Sequence, residues 1–432
     1  MALRIRSANR DLMRRMNEAL VLGLIHDFGP ISRSEIGQTS GLSLATISSI
    51  TGSLIEQGIV IEESPGASTG GRRPILLAIN RAAGLVIGVK LTREEVIVAL
   101  TDLGAEIVEQ GSRPLGGDLS PDSVIHTLGT LIDDLRSRHA DRRFLGLGLG
   151  MAGIVDREHG VCRFSPFLRW RDVPVRDLLE ARVGMPVIVE NDVNALTVAE
   201  RWFGAGAGSP NFLVVTLGVG VGMGMMLNGE LYRGGRDGAG EFGHSTVIEN
   251  GPLCNCGKLG CVEAYVGEYA ILRAAAEAIG SPIDLQEAIN RARSHDARIV
   301  EVFQSAGHTL GFALASVINV LNPTLVIVGG EGAKFLDLLL PALREALEAH
   351  CFDGLFADVE LVVEPWGDDA WARGAAGLML DEFFHPPEDR EQPDSPPRRR
   401  GRPVRPASFV LPPISGDSKT GEQRVGIERS DG

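Results

Sequence analysis

Cysteine is scarce, with 5 residues in 432, and so few thiols exclude a disulfide-built scaffold. An apolar leader is missing as well. The opening MALRIRSANRDLMRRMNEAL carries basic residues but no apolar h-region before a small-residue cleavage site, so secretion is not expected and the chain is read as cytoplasmic. Positive charge is not in excess: the formal net charge is −14, which argues against a surface that binds polyanions all over. A long uncharged run occurs between Ala205 and Gly229, yet its centre, TLGVGVGMGMML, places glycine at every second position. That alternation suits strands and a glycine turn, and no membrane partner is expected.

What is present is ordinary for a globular chain. Hydrophobic residues make up 44% and charged residues 23%, enough apolar burial to offset the entropy of ordering most of the chain. At roughly 100–200 residues per domain the length allows two to four domains. The 54 glycines are the departure; without a collagen period they point to tight turns and close backbone approaches, as in α/β proteins that hold small molecules. Charge is unevenly spread. Residues 1–80 carry 8 basic and 7 acidic side chains, residues 385–432 carry 9 and 8, and residues 81–384 carry 25 and 41. A near-neutral N-terminal part on an acidic body can still bind nucleic acid, because phosphate attraction is local and screened within about 8–10 Å.

The spacing of Leu12, Met16, Ala19, Leu20, Leu24 and Ile25 predicts a helix over 9–28, ended by Gly29-Pro30. Ser32 and Glu35 form a capping-box pattern that starts a second helix with Ile36 inward. A turn at Thr39-Ser40-Gly41 leads to a third helix from about Ser43 to Gln57, with Ile47, Ile50, Leu54 and Ile55 buried and Thr46, Ser49 and Ser53 outward. Two apolar runs, Ile59–Ile61 and Ile75–Ile79, flank EESPGASTGGRRP, read as a hairpin tip. Helix, helix, turn, helix, hairpin is a winged helix-turn-helix, and the small uncharged side chains of Ser43, Thr46 and Ser49 can approach base edges closely. A small helical dimerisation subdomain is the alternative.

From Leu85 the pattern turns to strands, with a helix over about 120–139 and one strand expected in FLGLGLGMAGIVD. The second half repeats this order in NFLVVTLGVG, VGMGMMLNGELY, a long helical region over about 263–321 and TLVIVGG. A duplicated meander followed by helices and strands implies two α/β lobes with a ligand-sized cleft. Beyond about residue 384 the chain is rich in proline and charge, and disorder is expected. Arg400-Gly401-Arg402-Pro403 there resembles an AT-hook core, though a solvated basic linker fits better.

The strongest local signal is GHSTVIENGPLCNCGKLGCVE, where His244, Cys254, Cys256 and Cys261 offer one imidazole and three thiols. Zinc takes four such ligands in a tetrahedron, and with no open position the site would be structural. Glu190-Asn191-Asp192-Val193-Asn194 follows the apolar run PVIV, so it stands at the carboxyl end of a buried parallel strand, where α/β sheets bind ligands. A helix N-cap cluster is the blander reading. Glu241, His244 and Glu263 add polar groups that suit a polyhydroxylated ligand.

GAGEFGH, CNCGKLGCVE, ENDVN and GLGLGMAGIVD together resemble the ROK family of repressors, open reading frames and sugar kinases over roughly residues 82–380. The resemblance implies a two-lobed actin-like, ribonuclease H-like ATPase-type sugar-kinase fold at residues 81–384. The winged helix at residues 1–80, ending in GGRRP, resembles the repressor branch. The resemblance further implies that Asn191, Asp192, Glu241, His244 and Glu263 hold a sugar, that Asp192 is the base in kinases, and that His244 also binds zinc through its other ring nitrogen. Kinases of the family open with D-x-G-G-T, and Lys90-Leu91-Thr92-Arg93-Glu94 stands there instead. Two glycines that let phosphate approach the backbone are lost, and Glu94 adds negative charge. A second glycine loop, Gly218-Val219-Gly220-Val221-Gly222, remains, with Val219 for the usual threonine; Ala152 and Phe167 also depart from the pattern near the sugar.

These readings give a regulator, in the first instance a repressor, that binds operator DNA and responds to a sugar or sugar phosphate as a homodimer or tetramer with one structural zinc per chain. Thr46 and Ser49 are expected to read bases, and Arg33, Arg72 and Arg73 to contact phosphate or the minor groove. The alternatives are an ATP-dependent sugar kinase of the hexokinase or glucokinase type using Asp192, and an interaction protein whose cleft is filled by Phe167.

Overall fold

The computed structural model describes residues 10–63 and 74–385. It begins with α1 (Arg10–Phe28), β1 (Ile31–Ser32), α2 (Arg33–Ser40), α3 (Leu44–Glu56), β2 (Val60–Glu63) and β3 (Leu76–Ile79). The strands form one antiparallel sheet in the order β1-β3-β2. The capping box is formed: Glu35 N donates to Ser32 Oγ at 3.3 Å, and Ser32 N donates to Glu35 Oε2 at 2.9 Å. Gly41 stops α2 in the left-handed region, and Ser43 caps α3. Ile36, Ile47, Ile50 and Leu54 are buried; Ile55 is only half-buried, at the edge of the helix's inward face. The strand β1 escapes sequence reading because two residues show no period. Arg72 and Arg73, with the expected hairpin tip, lie outside the described residues, as does the tail from residue 386.

The first lobe contains β4 (Leu85–Leu91), β5 (Glu95–Thr101), β6 (Ile107–Pro114), α4 (Pro121–Arg138), β7 (Phe144–Met151), β8 (Ile154–Asp156), β9 (Val161–Ser165), β10 (Trp170–Val173), α5 (Val175–Val183), β11 (Val187–Asn191) and α6 (Asp192–Phe203). Its main sheet runs β11-β7-β4-β5-β6, with β11, β7 and β4 parallel and β5 and β6 antiparallel. The single strand expected in FLGLGLGMAGIVD is two strands. Gly153, at φ 125°, turns the chain after Met151 so that β8 leaves the main sheet and pairs with β9.

The second lobe repeats the plan with β12 (Phe212–Leu217), β13 (Val221–Leu227), β14 (Glu230–Leu231), α7 (Glu263–Val266), α8 (Glu268–Ile279), α9 (Leu285–Arg293), α10 (Ala297–Leu321), β15 (Leu325–Gly329), α11 (Ala333–His350), β16 (Glu360–Glu364) and α12 (Asp368–Phe384). Its sheet order is β14-β13-β12-β15-β16, with β12, β15 and β16 parallel and the other two antiparallel. Each lobe thus builds a five-stranded mixed sheet from three parallel and two antiparallel strands, which makes the fold a duplicated α/β unit carrying a winged helix.

The last helix, α12, returns to the first lobe and packs on β4, β5, β7 and α6. The approach is so close that a Cβ at Gly88 or Gly148 would overlap the carbonyl oxygens of Ala372 and Ala375. The apolar core of the winged helix, including Val21, Ile25, Ile47 and Leu77, continues without a break into Ala195 and Val198 of α6 and Leu380 and Phe384 of α12. No helix among the described residues is long and apolar enough to cross a membrane.

Candidate functional site

The cysteine loop is folded by its glycines. Gly257 and Gly260 take φ +87° and +71°, and a side chain at Gly260 would overlap the Ile248 carbonyl. Bridges Thr246 to Cys261 and Leu253 to Leu259 close the loop. The result brings His244, Cys254, Cys256 and Cys261 together, their donor atoms within 4.8 Å of one another. Cys256 and Cys261 Sγ are 3.7 Å apart, and His244 Nδ1 lies 3.6 Å from Cys254 Sγ. Two sulfurs each about 2.3 Å from a tetrahedral zinc stand about 3.8 Å apart, so the donor set fits that ion. Burial, and then the Lys258 cation, hold the His244 imidazole below its ordinary range, and therefore neutral as a ligand requires. Burial pushes the Cys254 and Cys261 thiols up, so metal uptake would release protons.

His244 turns its other face to the cleft, with Nε2 at 3.9 Å from Glu241 Oε2. Glu263, the first residue of α7, accepts from Val221 N at 3.2 Å and lies 3.6 Å from Cys254 Sγ, which ties the cysteine loop to the glycine turn before β13. Burial raises the Glu263 carboxyl to about 7. Burial raises Glu241 too, and the charge of Asp192 adds to it. The Asp192 charge thus acts on Glu241 and the Glu241 charge on Glu263, with His244 beside Glu241.

Across from them, β11 delivers Glu190 and Asn191, and α6 begins at Asp192. The N-cap reading of this motif holds for Asn191: its Oδ1 caps α6 by accepting from Asn194 N at 3.1 Å, and its Nδ2 donates to Gly153 O at 3.1 Å. Burial raises the Asp192 carboxyl; the Val193 amide and the Lys90 cation act in the opposite sense. Glu190 is 1% exposed and is the anchor sequence reasoning passed over. It accepts from Arg233 Nε at 2.7 Å and from Asn194 Nδ2 at 3.1 Å, with Arg157 Nε at 3.7 Å. Arg233, partly exposed, follows β14, so its pair with the buried Glu190 joins the two lobes.

The stretch Lys90–Glu94 also joins them. Lys90, buried at the end of β4, stands 3.8 Å from Glu331 after β15 and 4.7 Å from the Trp371 ring centre. Glu331 in turn lies against the glycine loop, where a Cβ on Gly218 would meet its Oε2 at 3.1 Å. Thr92 folds the next residues into a tight turn, its Oγ1 accepting from Glu94 N and Glu95 N. A carboxylate, itself 3.8 Å from a buried ammonium, thus stands against the glycine loop.

On the winged helix, Ser43 and Ser49 are exposed and Thr46 half-buried along one side of α3; Ser43 Oγ and Thr46 Oγ1 are 2.8 Å apart. Arg33 is engaged inside the module, donating to Thr51 Oγ1 at 3.0 Å and to Glu62 Oε1 at 2.9 Å.

A winged helix fused to two duplicated α/β lobes, with a polar cleft beside a loop of one histidine and three cysteines, defines a DNA-binding type of architecture built on a sugar-kinase type of fold. The chain belongs to the ROK family, whose model matches residues 86–382. The xylose repressor of Bacillus subtilis (strain 168) is 30% identical, over 87% of this chain and 98% of that protein. The crystal structure of a ROK family transcriptional regulator, a homologue of the E. coli MLC protein, covers 87% of this chain and 98% of its own, with TM-score 0.77 and 26% identity. A ROK glucokinase from Streptomyces griseus, solved with glucose and AMPPNP, covers 68% of this chain and 99% of its own, with TM-score 0.60 and 29% identity.

Proposed function

We propose that this protein is a sugar-responsive transcriptional regulator, a repressor, that binds operator DNA through residues 1–80 and releases it when a sugar or sugar phosphate occupies the cleft. The observation that carries the reading is coverage. The likeness to the xylose repressor spans nearly all of that protein, and most of this chain, whereas the glucokinase likeness spans 68% of this chain.

In this reading Asn191, Asp192, Glu241, His244 and Glu263 hold the sugar hydroxyls. His244, Cys254, Cys256 and Cys261 hold one structural zinc. When bound, zinc supplies a fixed tetrahedral anchor, and His244 then presents Nε2 to the cleft as an oriented hydrogen-bonding group. Thr46 and Ser49 read base edges, Ser43 approaches them closely, and Arg33, Arg72 and Arg73 contact phosphate or the minor groove. Arg33 must leave Glu62 to do so. The protein works in the cytoplasm as a homodimer or tetramer, since two-fold operators match paired modules.

Phosphoryl transfer is not part of the function. It depends on positioning and on charge stabilisation of the polyphosphate, and Lys90 with Glu331 supports its loss, because a carboxylate against Gly218 repels a phosphate. Selection from a random duplex pool, followed by anisotropy titration with a panel of pentoses, hexoses and their phosphates, tests the reading. The expected result is a preferred duplex released about 5–150-fold more readily by one sugar, the range of about 1–3 kcal/mol of coupling. Sugar-dependent ATP turnover that disappears in Asp192→Asn would establish the kinase instead.

A further inference from the structure

At the seam between the winged helix and the lobes, three metal-ligand side chains meet that the sugar and DNA sites do not use. His26 and Asp27 close the last turn of α1, and His385 follows α12, so the ligands come from opposite ends of the sequence. Asp27 turns one carboxylate oxygen to each ring: Oδ1 stands 2.8 Å from His26 Nδ1, and Oδ2 stands 3.2 Å from His385 Nε2. The three donor atoms lie within 4.8 Å of one another. We infer that His26, Asp27 and His385 form a second metal site, for a borderline divalent transition ion such as Zn²⁺, Co²⁺ or Ni²⁺, which bolts α1 of the winged helix to α12.

Three features beyond ligand identity support this. First, two imidazoles and one carboxylate are a donor set for these ions, and three protein ligands leave a position for water. Second, Asp381, one turn before His385, lies 3.5 Å from His385 Nδ1, and that nitrogen is buried without a hydrogen-bond partner. A carboxylate behind the far nitrogen of a histidine is the arrangement that orients a metal-bound ring. Third, the site has an aromatic wall. The His26 ring stacks on Phe384 at 4.2 Å and tilts against Trp202 at 4.4 Å, and the His385 ring lies over Gly23, where any Cβ would press on it at 3.0 Å. Such packing fixes both rings before an ion arrives.

Cobalt titration of the full-length protein tests the inference, because the two metal sites differ in ligand chemistry. Co²⁺ bound by thiolates gives an intense sulfur-to-metal absorption, whereas Co²⁺ on imidazole and carboxylate gives only weak visible bands. Protein already carrying zinc on its cysteines should take one further Co²⁺ per chain with no thiolate band, and its Tm should rise. His26→Gln and His385→Gln should each abolish that uptake, Asp381→Asn should weaken it about 10–100-fold, and Cys256→Ser should leave it intact. Wild-type protein that takes no Co²⁺ beyond the thiolate site overturns the inference. So does uptake that survives both histidine substitutions.

Discussion

Lys90 is buried at the end of β4 beside Glu331, and its charge acts on Asp192. Burial raises the Asp192 carboxyl while the lysine pulls it back down, so removing the lysine must raise it further. An ionised carboxylate accepts hydrogen bonds from sugar hydroxyls about twice as strongly as the neutral acid does. Lys90→Met should therefore shift the acid limb of sugar binding to higher pH and leave the neutral plateau within a few-fold, as calorimetric titration between about pH 4.5 and 8 would show. An unmoved limb would mean that Asp192 does not carry the binding. Glu190 tests stability instead. It is buried and holds the partly exposed Arg233 from the other lobe, so Glu190→Ala removes charge-assisted hydrogen bonds and should cost about 1.5–3 kcal/mol in urea unfolding. The histidine and three cysteines of the metal loop were legible in the sequence because they fall within 18 positions of one another. Neither Glu190 with Arg233 nor Lys90 with Glu331 was legible, since no local period marks a partner 43 or 241 residues away.

Among the elements, α6 has the placement a signal would need. Its N-terminus carries the cap Asn191 and then Asp192, both proposed sugar ligands, and at its far end Trp202 tilts against His26 of α1 and lies near Phe384. A rigid helix moved by sugar at one end must repack at the other, because interfaces of this kind switch between discrete arrangements. Trp202→Ala should leave sugar affinity within about 3-fold and reduce the sugar-dependent loss of DNA binding by about 10-fold, measured as anisotropy titrations with and without sugar. Loss of sugar affinity by the same factor would instead mark Trp202 as a fold residue of the lobe. The start of α6 was readable from ENDVN after an apolar run, and the ends of α2 and α3 from Ser32, Gly41 and Ser43, because caps are local chemistry. The return of α12 onto β4 and β7 was not readable. It rests on backbone contact at Gly88 and Gly148, and a glycine in a strand does not announce what approaches it.

At the scale of the whole molecule, the continuous apolar core from Val21 through Ala195 to Phe384 decides how the two ligands can communicate. A winged helix hung on a flexible linker would bind DNA independently of the cleft. Here its helices share buried side chains with α6 and α12, so an arrangement of the lobes favoured by sugar must strain or relieve the packing of α1. Binding of either ligand then shifts the same equilibrium, and linkage requires the effect to be reciprocal. If sugar weakens operator binding by some factor, saturating operator must weaken sugar binding by the same factor. Both sides of the cycle are measurable on one preparation, by anisotropy for the duplex and calorimetry for the sugar. Equal factors of about 5–150, both reduced together in Trp202→Ala, are expected. Sugar affinity that ignores a saturating duplex would show that the shared core carries no signal, and that the apparent release came from something other than the cleft.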